Sequence, residues 1–255
     1  MAYSNREYVT TTGISTYTFN ATFVKTDSRI TCIGSGGNGG AKQSNSLGGS
    51  GGGAGGCSVI VNSTFFNPGD ACSVQVPAAN SGSFCMISDV GATQRCKCES
   101  GQAGSGASGG IGGTLSQAIG DSKFTGGNGG NLTTGGTGAG GGGAAGINGA
   151  GENVAANQQT GGRGDNNTVA AGVPGGNGNN GTEFDATHGS GSGAGGCSTA
   201  TATVGGNYGG GGGGARGASG TQNFGLGTQG LIIIEWNVPV VVIPDLIMAQ
   251  MVSRE

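Results

Sequence analysis

Gly49-Ser-Gly-Gly-Gly-Ala-Gly-Gly-Cys57-Ser-Val-Ile-Val61 runs a glycine tract straight into β-branched residues, with no turn signal between them. Its first ten residues recur as Gly189-Ser-Gly-Ser-Gly-Ala-Gly-Gly-Cys197-Ser, nine of ten identical at an offset of 140. Each copy leads into a β-branched stretch that reads as a strand. The repeat therefore predicts a fold in which glycine tracts and strands are continuous parts of one design.

Composition narrows the choices. Of 255 residues 64 are glycine, and each glycine in a helix or strand interior costs roughly 0.5–1 kcal/mol relative to alanine while burying no side chain. A helical bundle or an ordinary enzyme scaffold is disfavoured. Five prolines and an irregular glycine period exclude a collagen triple helix. Only 9% of residues are charged and the net charge is −3, so the chain lacks the basic stripe that neutralises phosphates, and no nucleic-acid partner is expected. Residues 231–252 are apolar but contain Glu235, Asn237, Pro239, Pro244 and Asp245, a poor set for a spanning helix, so no membrane insertion is expected. The start, Met-Ala-Tyr-Ser-Asn-Arg-Glu, carries no secretory signal pattern, and synthesis in a cytoplasm is expected.

Three regions follow from the residues. In 1–100 the alternation of Tyr17, Phe19, Ala21 and Phe23 with Thr16, Thr18, Asn20 and Thr22 reads as a half-buried strand. Ile30–Ile33 reads as a second strand and residues 57–66 as a third. The turn Asn67-Pro-Gly-Asp70 is expected to bring Cys72–Val76 back as the other arm of a hairpin with that third strand. Residues 84–90 and 93–99 read as a further pair turned at Gly91. The last region, 231–255, is a closing strand followed by an apolar tail.

Residues 101–230 are a different material, with 48 glycines and eight charges. Gly172, Gly175, Gly178 and Gly181 are three apart, as are Gly101 and Gly104, and Gly110 and Gly113. A three-residue period matches the polyproline II helix, which makes no internal hydrogen bonds. Ordered helices of that kind must pair their backbone groups with neighbours, and glycine faces let them approach closely enough to do so. The expected architecture is all-β: a frame of strands and hairpins around a bundle of polyproline II helices, with essentially no α-helix. The competing reading is a flexible Gly/Ser linker.

Several elements together resemble the glycine-rich domains of bacteriophage tail-fibre and receptor-binding proteins. They are Thr16-Tyr-Thr-Phe-Asn20, Ile30-Thr-Cys-Ile-Gly-Ser-Gly-Gly-Asn-Gly-Gly40, Gly55-Gly-Cys-Ser-Val-Ile-Val61 with the Asn67 turn, and Gly230-Leu-Ile-Ile-Ile-Glu-Trp236. The chain is also similar to glycine-rich adhesins at fibre tips, in which polyproline II rods present variable loops. The resemblance implies a virion protein, a bacterial surface receptor, other virion proteins of the fibre shaft, capsid or tail as partners, and a homo-oligomer, commonly a trimer. The seven cysteines and residues 237–255 depart from the family pattern.

Candidate chemistry is thin. His188, the only histidine, lies three residues from Asp185, a pair that would need a defined pocket to act as acid and base; a polar surface loop is the simpler reading. Arg163-Gly164-Asp165 spells an integrin-type tripeptide that arises easily in such a composition. Cys32, Cys57, Cys72, Cys85, Cys96, Cys98 and Cys197 are an odd set without a secretory signal, which argues against a disulfide framework. Cys96 and Cys98 fall on one strand face and could hold a metal, but zinc-finger spacing is missing, and small apolar core positions explain free cysteines better. No catalysis, cofactor or metal is expected.

Binding has better material. Phe124, Phe184, His188, Tyr208 and Phe224 are the large side chains of the glycine-rich region, and aromatics dominate binding hot spots; they are expected to form receptor loops or, alternatively, to plug the ends of the bundle. Trp236, Val240, Val242, Ile243 and Leu246 are expected at an oligomer or virion docking surface. The leading expectation is a tail-fibre or tip adhesin. A capsid decoration or head-fibre protein with a purely structural role is the alternative, and an ice-binding protein with Asn128, Asn131, Thr134 and Thr137 as ranks is a third.

Overall fold

The computed structural model describes residues 3–220 and 222–238. Within them the chain is all-β, with no helix and two antiparallel sheets. Strands β1 (Asn5–Val9), β2 (Gly13–Thr18), β3 (Ser28–Ile33), β4 (Cys57–Val61), β5 (Ala71–Val76), β6 (Cys85–Ser88), β7 (Gln94–Cys98), β8 (Ser122–Phe124) and β9 (Leu231–Trp236) follow in chain order. One sheet has the order β1-β9-β3-β4-β8 and the other β2-β5-β6-β7.

The two sheets pack face to face. Ile30, Cys32, Ile60, Ile232, Ile234 and Trp236 of the first sheet meet Val74, Val76, Cys85, Ile87, Cys96 and Cys98 of the second, with Phe19, Phe23 and Phe66 closing one end. The first sheet is covered on its other face too, where Ile33, Cys57, Val59, Leu231 and Ile233 pack against Ala145 and Phe184. Burial on both faces explains why β9 opens with four consecutive apolar residues, Leu231–Ile234, rather than an alternating pattern.

Two strand expectations need correcting. Residues 71–76 do not pair with residues 57–66; β5 pairs with β2 and β6 instead. The Asn67–Asp70 turn carries the chain from one sheet to the other, because Phe66 is buried between them and the Phe19 N–H and carbonyl bond to Asp70 and Gly69. The strand read through Phe23 ends at Thr18, where the Asn20 side chain accepts the Thr22 N–H at 2.9 Å and turns the chain. Residues 85–88 and 94–98 do form a hairpin, whose Asp89 carboxylate accepts the Gly91 and Thr93 N–H groups while Ala92 takes φ 61°. The second copy of the repeat departs from the first, for Cys197 does not open a strand and residues 198–201 are bends.

The glycine segments bond laterally with a period of three. Along 49–56, the N–H groups of Gly49, Gly52 and Gly55 donate to Ala215, Gly212 and Gly209; those of Gly51 and Ala54 donate to Gly130 and Gly127; those of Gly53 and Gly56 donate to Gln102 and Glu99. One segment thus has three neighbours, where a β-strand has two. The second repeat copy follows suit, with Gly191, Ala194 and Cys197 donating to Tyr208, Gly211 and Gly214. Both copies of the repeat therefore flank the segment 208–215. Close approach demands glycine at these positions: a Cβ at Gly51 would overlap the Gly140 carbonyl oxygen. Segments 34–40 and 49–56 bond to those of 101–230, so the array draws on both parts of the chain.

Asparagines finish the edges of this array. Asn128 and Asn131 accept the N–H groups of Gly112 and Gly109 at 2.8 and 2.7 Å, and Asn177 and Asn180 accept those of Val204 and Asn207 at 2.9 Å. The amide side chain replaces a missing neighbour, as the satisfaction of backbone groups requires.

Candidate functional site

The loop carrying Phe184 and His188 is built by local hydrogen bonds. Asp185 Oδ1 accepts the N–H groups of Thr187 and His188 at 2.7 and 2.9 Å, an Asx-type turn. Both Asp185 oxygens lie 2.9 Å from His188 Nδ1. The imidazole stacks on Tyr8, with ring centroids 3.8 Å apart, and on Tyr208 at 5.8 Å, so three rings form one column. Burial alone would raise the Asp185 carboxyl, but the Tyr8 hydroxyl beside it, the Thr187 N–H and His188 outweigh that and hold it well below the usual carboxylate range. Burial and Asp185 push the Tyr8 hydroxyl up to about 12.

Beneath this loop lies a charge cluster on the outer face of the first sheet. Arg6 on β1, Glu235 on β9 and Arg29 on β3 stand directly across from one another in register. Glu235 is fully buried; Oε1 accepts Arg6 Nε at 2.8 Å and Oε2 accepts Arg29 Nε at 2.6 Å. Both guanidinium groups lie 5.7 Å from the Phe184 ring centroid, and Arg6 also donates to the Phe184 carbonyl. Cation–π attraction and the carbonyl bond fasten the loop to the sheet.

The expected receptor residues separate accordingly. Phe184 is only 5% exposed, and His188 and Tyr208 are held in the ring column; these three act as anchors between loop and sheet. Phe124 ends β8 at the sheet edge and packs on the second core cluster. Phe224 is 38% exposed. Trp236, expected at a docking surface, is instead 2% exposed and packs edge-on against Phe23 in the core, since its position on β9 points it between the sheets. Val240, Val242, Ile243 and Leu246 lie outside the described residues. Asp165 is fully buried, so Arg163-Gly164-Asp165 is not displayed as a tripeptide.

The exposed apolar side chains of the glycine-rich region are mainly aliphatic. Ile111, Leu115, Val173 and Leu226 are each more than two-fifths exposed. The Ile111–Ile119 loop is pinned by Glu99, whose carboxylate accepts the Thr114 hydroxyl, the Ser116 hydroxyl at 2.7 Å and the Gln117 N–H at 2.9 Å. Reading for aromatics missed these positions. The available signal was single aliphatic residues with glycine or serine as an immediate neighbour.

All seven cysteines are buried free thiols. Burial raises the thiols of Cys32, Cys57 and Cys98 far above their ordinary value and that of Cys72 to about 11. Among the described residues, no group of three or more His, Cys, Asp or Glu side chains is arranged to hold a metal ion, and no helix is long and apolar enough to cross a membrane. No family model matches the chain and no curated protein is significantly similar to it.

Proposed function

We propose that the chain is a non-enzymatic bacteriophage virion protein, a tail-fibre or tip adhesin, in which a bundle of glycine-rich polyproline II helices presents short loops to a bacterial surface receptor. The observation that carries this reading is the period of three in the lateral hydrogen bonds of segments 49–56, 138–145, 191–197 and 208–215, which is the residue repeat of a polyproline II helix. A bundle bonded in three directions is a rigid support. Rigidity lets the loops at its surface bind with little ordering cost.

The receptor surface is assigned to the exposed side chains Ile111, Leu115, Val173, Phe224 and Leu226. Purified chain should compete with phage for adsorption to host cells, and serine at Leu115 together with alanine at Phe224 should weaken that competition at least tenfold with the fold intact. Competition that persists unchanged removes the receptor assignment. The packing of Phe184, His188 and Tyr208 as anchors favours a second reading, a decoration protein whose array serves durability alone. Labelled antibodies viewed on intact particles separate the two, placing the protein at a fibre tip or on the capsid.

A further inference from the structure

The two sheets end in the edge strands β1, β8, β2 and β7, and three of these are defended. The β1 edge carries Arg6 and Glu7, and Arg6 also donates to the Phe184 carbonyl. β8 is only three residues long and includes Lys123. The β7 edge is capped, for Lys97 exchanges both backbone bonds with Ile119, and Arg95 adds a further charge. Charge, shortness and covering segments are devices by which proteins keep sheet edges from pairing with other chains.

The β2 edge has none of them. Gly13-Ile-Ser-Thr-Tyr-Thr18 contains no charged residue and no proline, and among the described residues it pairs with β5 alone. Its open side can be read from the ladder. Phe19, which continues the register, donates its N–H to Asp70, so the alternation of an antiparallel pair turns the backbone groups of Tyr17, Ser15 and Gly13 toward β5. Those of Ile14, Thr16 and Thr18 point the other way, and among the described residues their N–H and C=O groups have no hydrogen-bond partner. All three residues are exposed, Ile14 at 73%.

We propose that β2 pairs with β2 of a second copy of this chain, antiparallel about a two-fold axis at Thr16, and so joins the two β2-β5-β6-β7 sheets into one continuous sheet. In that register Thr16 lies opposite its own copy and Ile14 lies opposite Thr18, so every open backbone group meets a complement. The outward residues are evenly placed about Thr16 and carry no charge to repel one another. Isoleucine and threonine also suit cross-strand pairing. Nor does the edge offer a charge by which a different partner would be selected, and its own copy matches it in length and phase. A single six-residue edge covers less surface than the roughly 1,200–2,000 Å² of a stable interface, so the dimer is expected to be reversible and to depend on concentration.

Sedimentation velocity on the full chain over a range of concentrations tests the proposal, and a reversible equilibrium between monomer and dimer is expected. Thr16→Lys and Thr16→Glu each set like charges face to face across the axis, at an exposed position, and each should weaken the dimer at least tenfold. An equimolar mixture of the two variants should restore it. Amide exchange supplies a readout free of substitutions. The N–H groups of Ile14, Thr16 and Thr18 should exchange rapidly in dilute protein and slowly in concentrated protein, while those of Ser15 and Tyr17 are protected in both. A wild type that stays monomeric throughout overturns the proposal and leaves the edge to a strand of another protein. A dimer that survives both substitutions, a mixture that stays monomeric, or exchange at Ile14, Thr16 and Thr18 that ignores concentration also overturns it.

Discussion

Glu235 and Arg29 face each other in register across β9 and β3, the fully buried carboxylate receiving both Nε at 2.6 Å and Nη2 at 2.5 Å of the guanidinium. Arg6 repeats the arrangement from β1, so one acid serves two cations in the middle of a sheet. Removing one member of a buried pair strands the others. Glu235→Gln is expected to cost about 3 kcal/mol, the low end for such a change because both arginines keep some solvent contact. Chemical denaturation reads the loss, and amide exchange should quicken from Glu183 to Ser190 before the rest of the chain.

Glycine positions should divide sharply by what a methyl group would meet. At Gly193 a Cβ would overlap the Gly141 carbonyl oxygen, whereas at Gly136 the nearest atom is 3.5 Å away. Gly193→Ala is expected to destabilise by roughly 3 kcal/mol or more, because backbone on both sides must move. Gly136→Ala should stay within about 1 kcal/mol of wild type, on the stabilising side, through the reduced freedom of its unfolded chain. Equal melting temperatures for the two variants would remove the close-packed array.

Acid should loosen the ring column. The Asp185 carboxyl is lower in the folded protein than in the unfolded chain, so its contribution is present above an unfolded value of about 3.9 and is lost as pH falls below it. Stability followed from pH 6 to pH 2 should decline below about pH 4 in the wild type. Asp185→Asn should be less stable at pH 6 and should show a shallower decline. Parallel curves for the two proteins would show that the Asp185 interactions carry no stability.

The thiols offer a measure of global opening. Seven buried free cysteines, out of reach of solvent, predict no reaction with a thiol reagent at pH 8 in the native state and seven equivalents in denaturant. The labelling rate should follow unfolding, with Cys72 no faster than the others. Rapid modification of one or more thiols under native conditions would mean that the two-sheet core opens locally.

The strand frame was legible wherever local chemistry decides it. Ile30–Ile33, residues 57–61, the hairpin turned near Gly91 and the closing strand 231–236 all carry β-branched or apolar runs bounded by turn residues. Pairing was not legible, because β5 could join either neighbour with similar side chains, and only the burial of Phe66 and the bonds at Phe19 select β2. Nor could the aromatics be sorted. Phe184 and Phe224 look alike as residues in glycine-rich surroundings, but one is clasped by Arg6 and Arg29 from strands about 155 to 178 residues earlier in the chain, while the other remains at the surface.

By itself the sequence determined the all-β class. Composition and short-range period reflect the local backbone preferences of each residue, which do not depend on distant partners. Tertiary structure alone decided which segments lie side by side, that Trp236 faces inward, and that Arg6, Arg29 and Glu235 meet beneath Phe184. Those outcomes rest on contacts between residues far apart in the chain, where carbonyl oxygens, rings and carboxylates take whatever partners the assembled array places within reach.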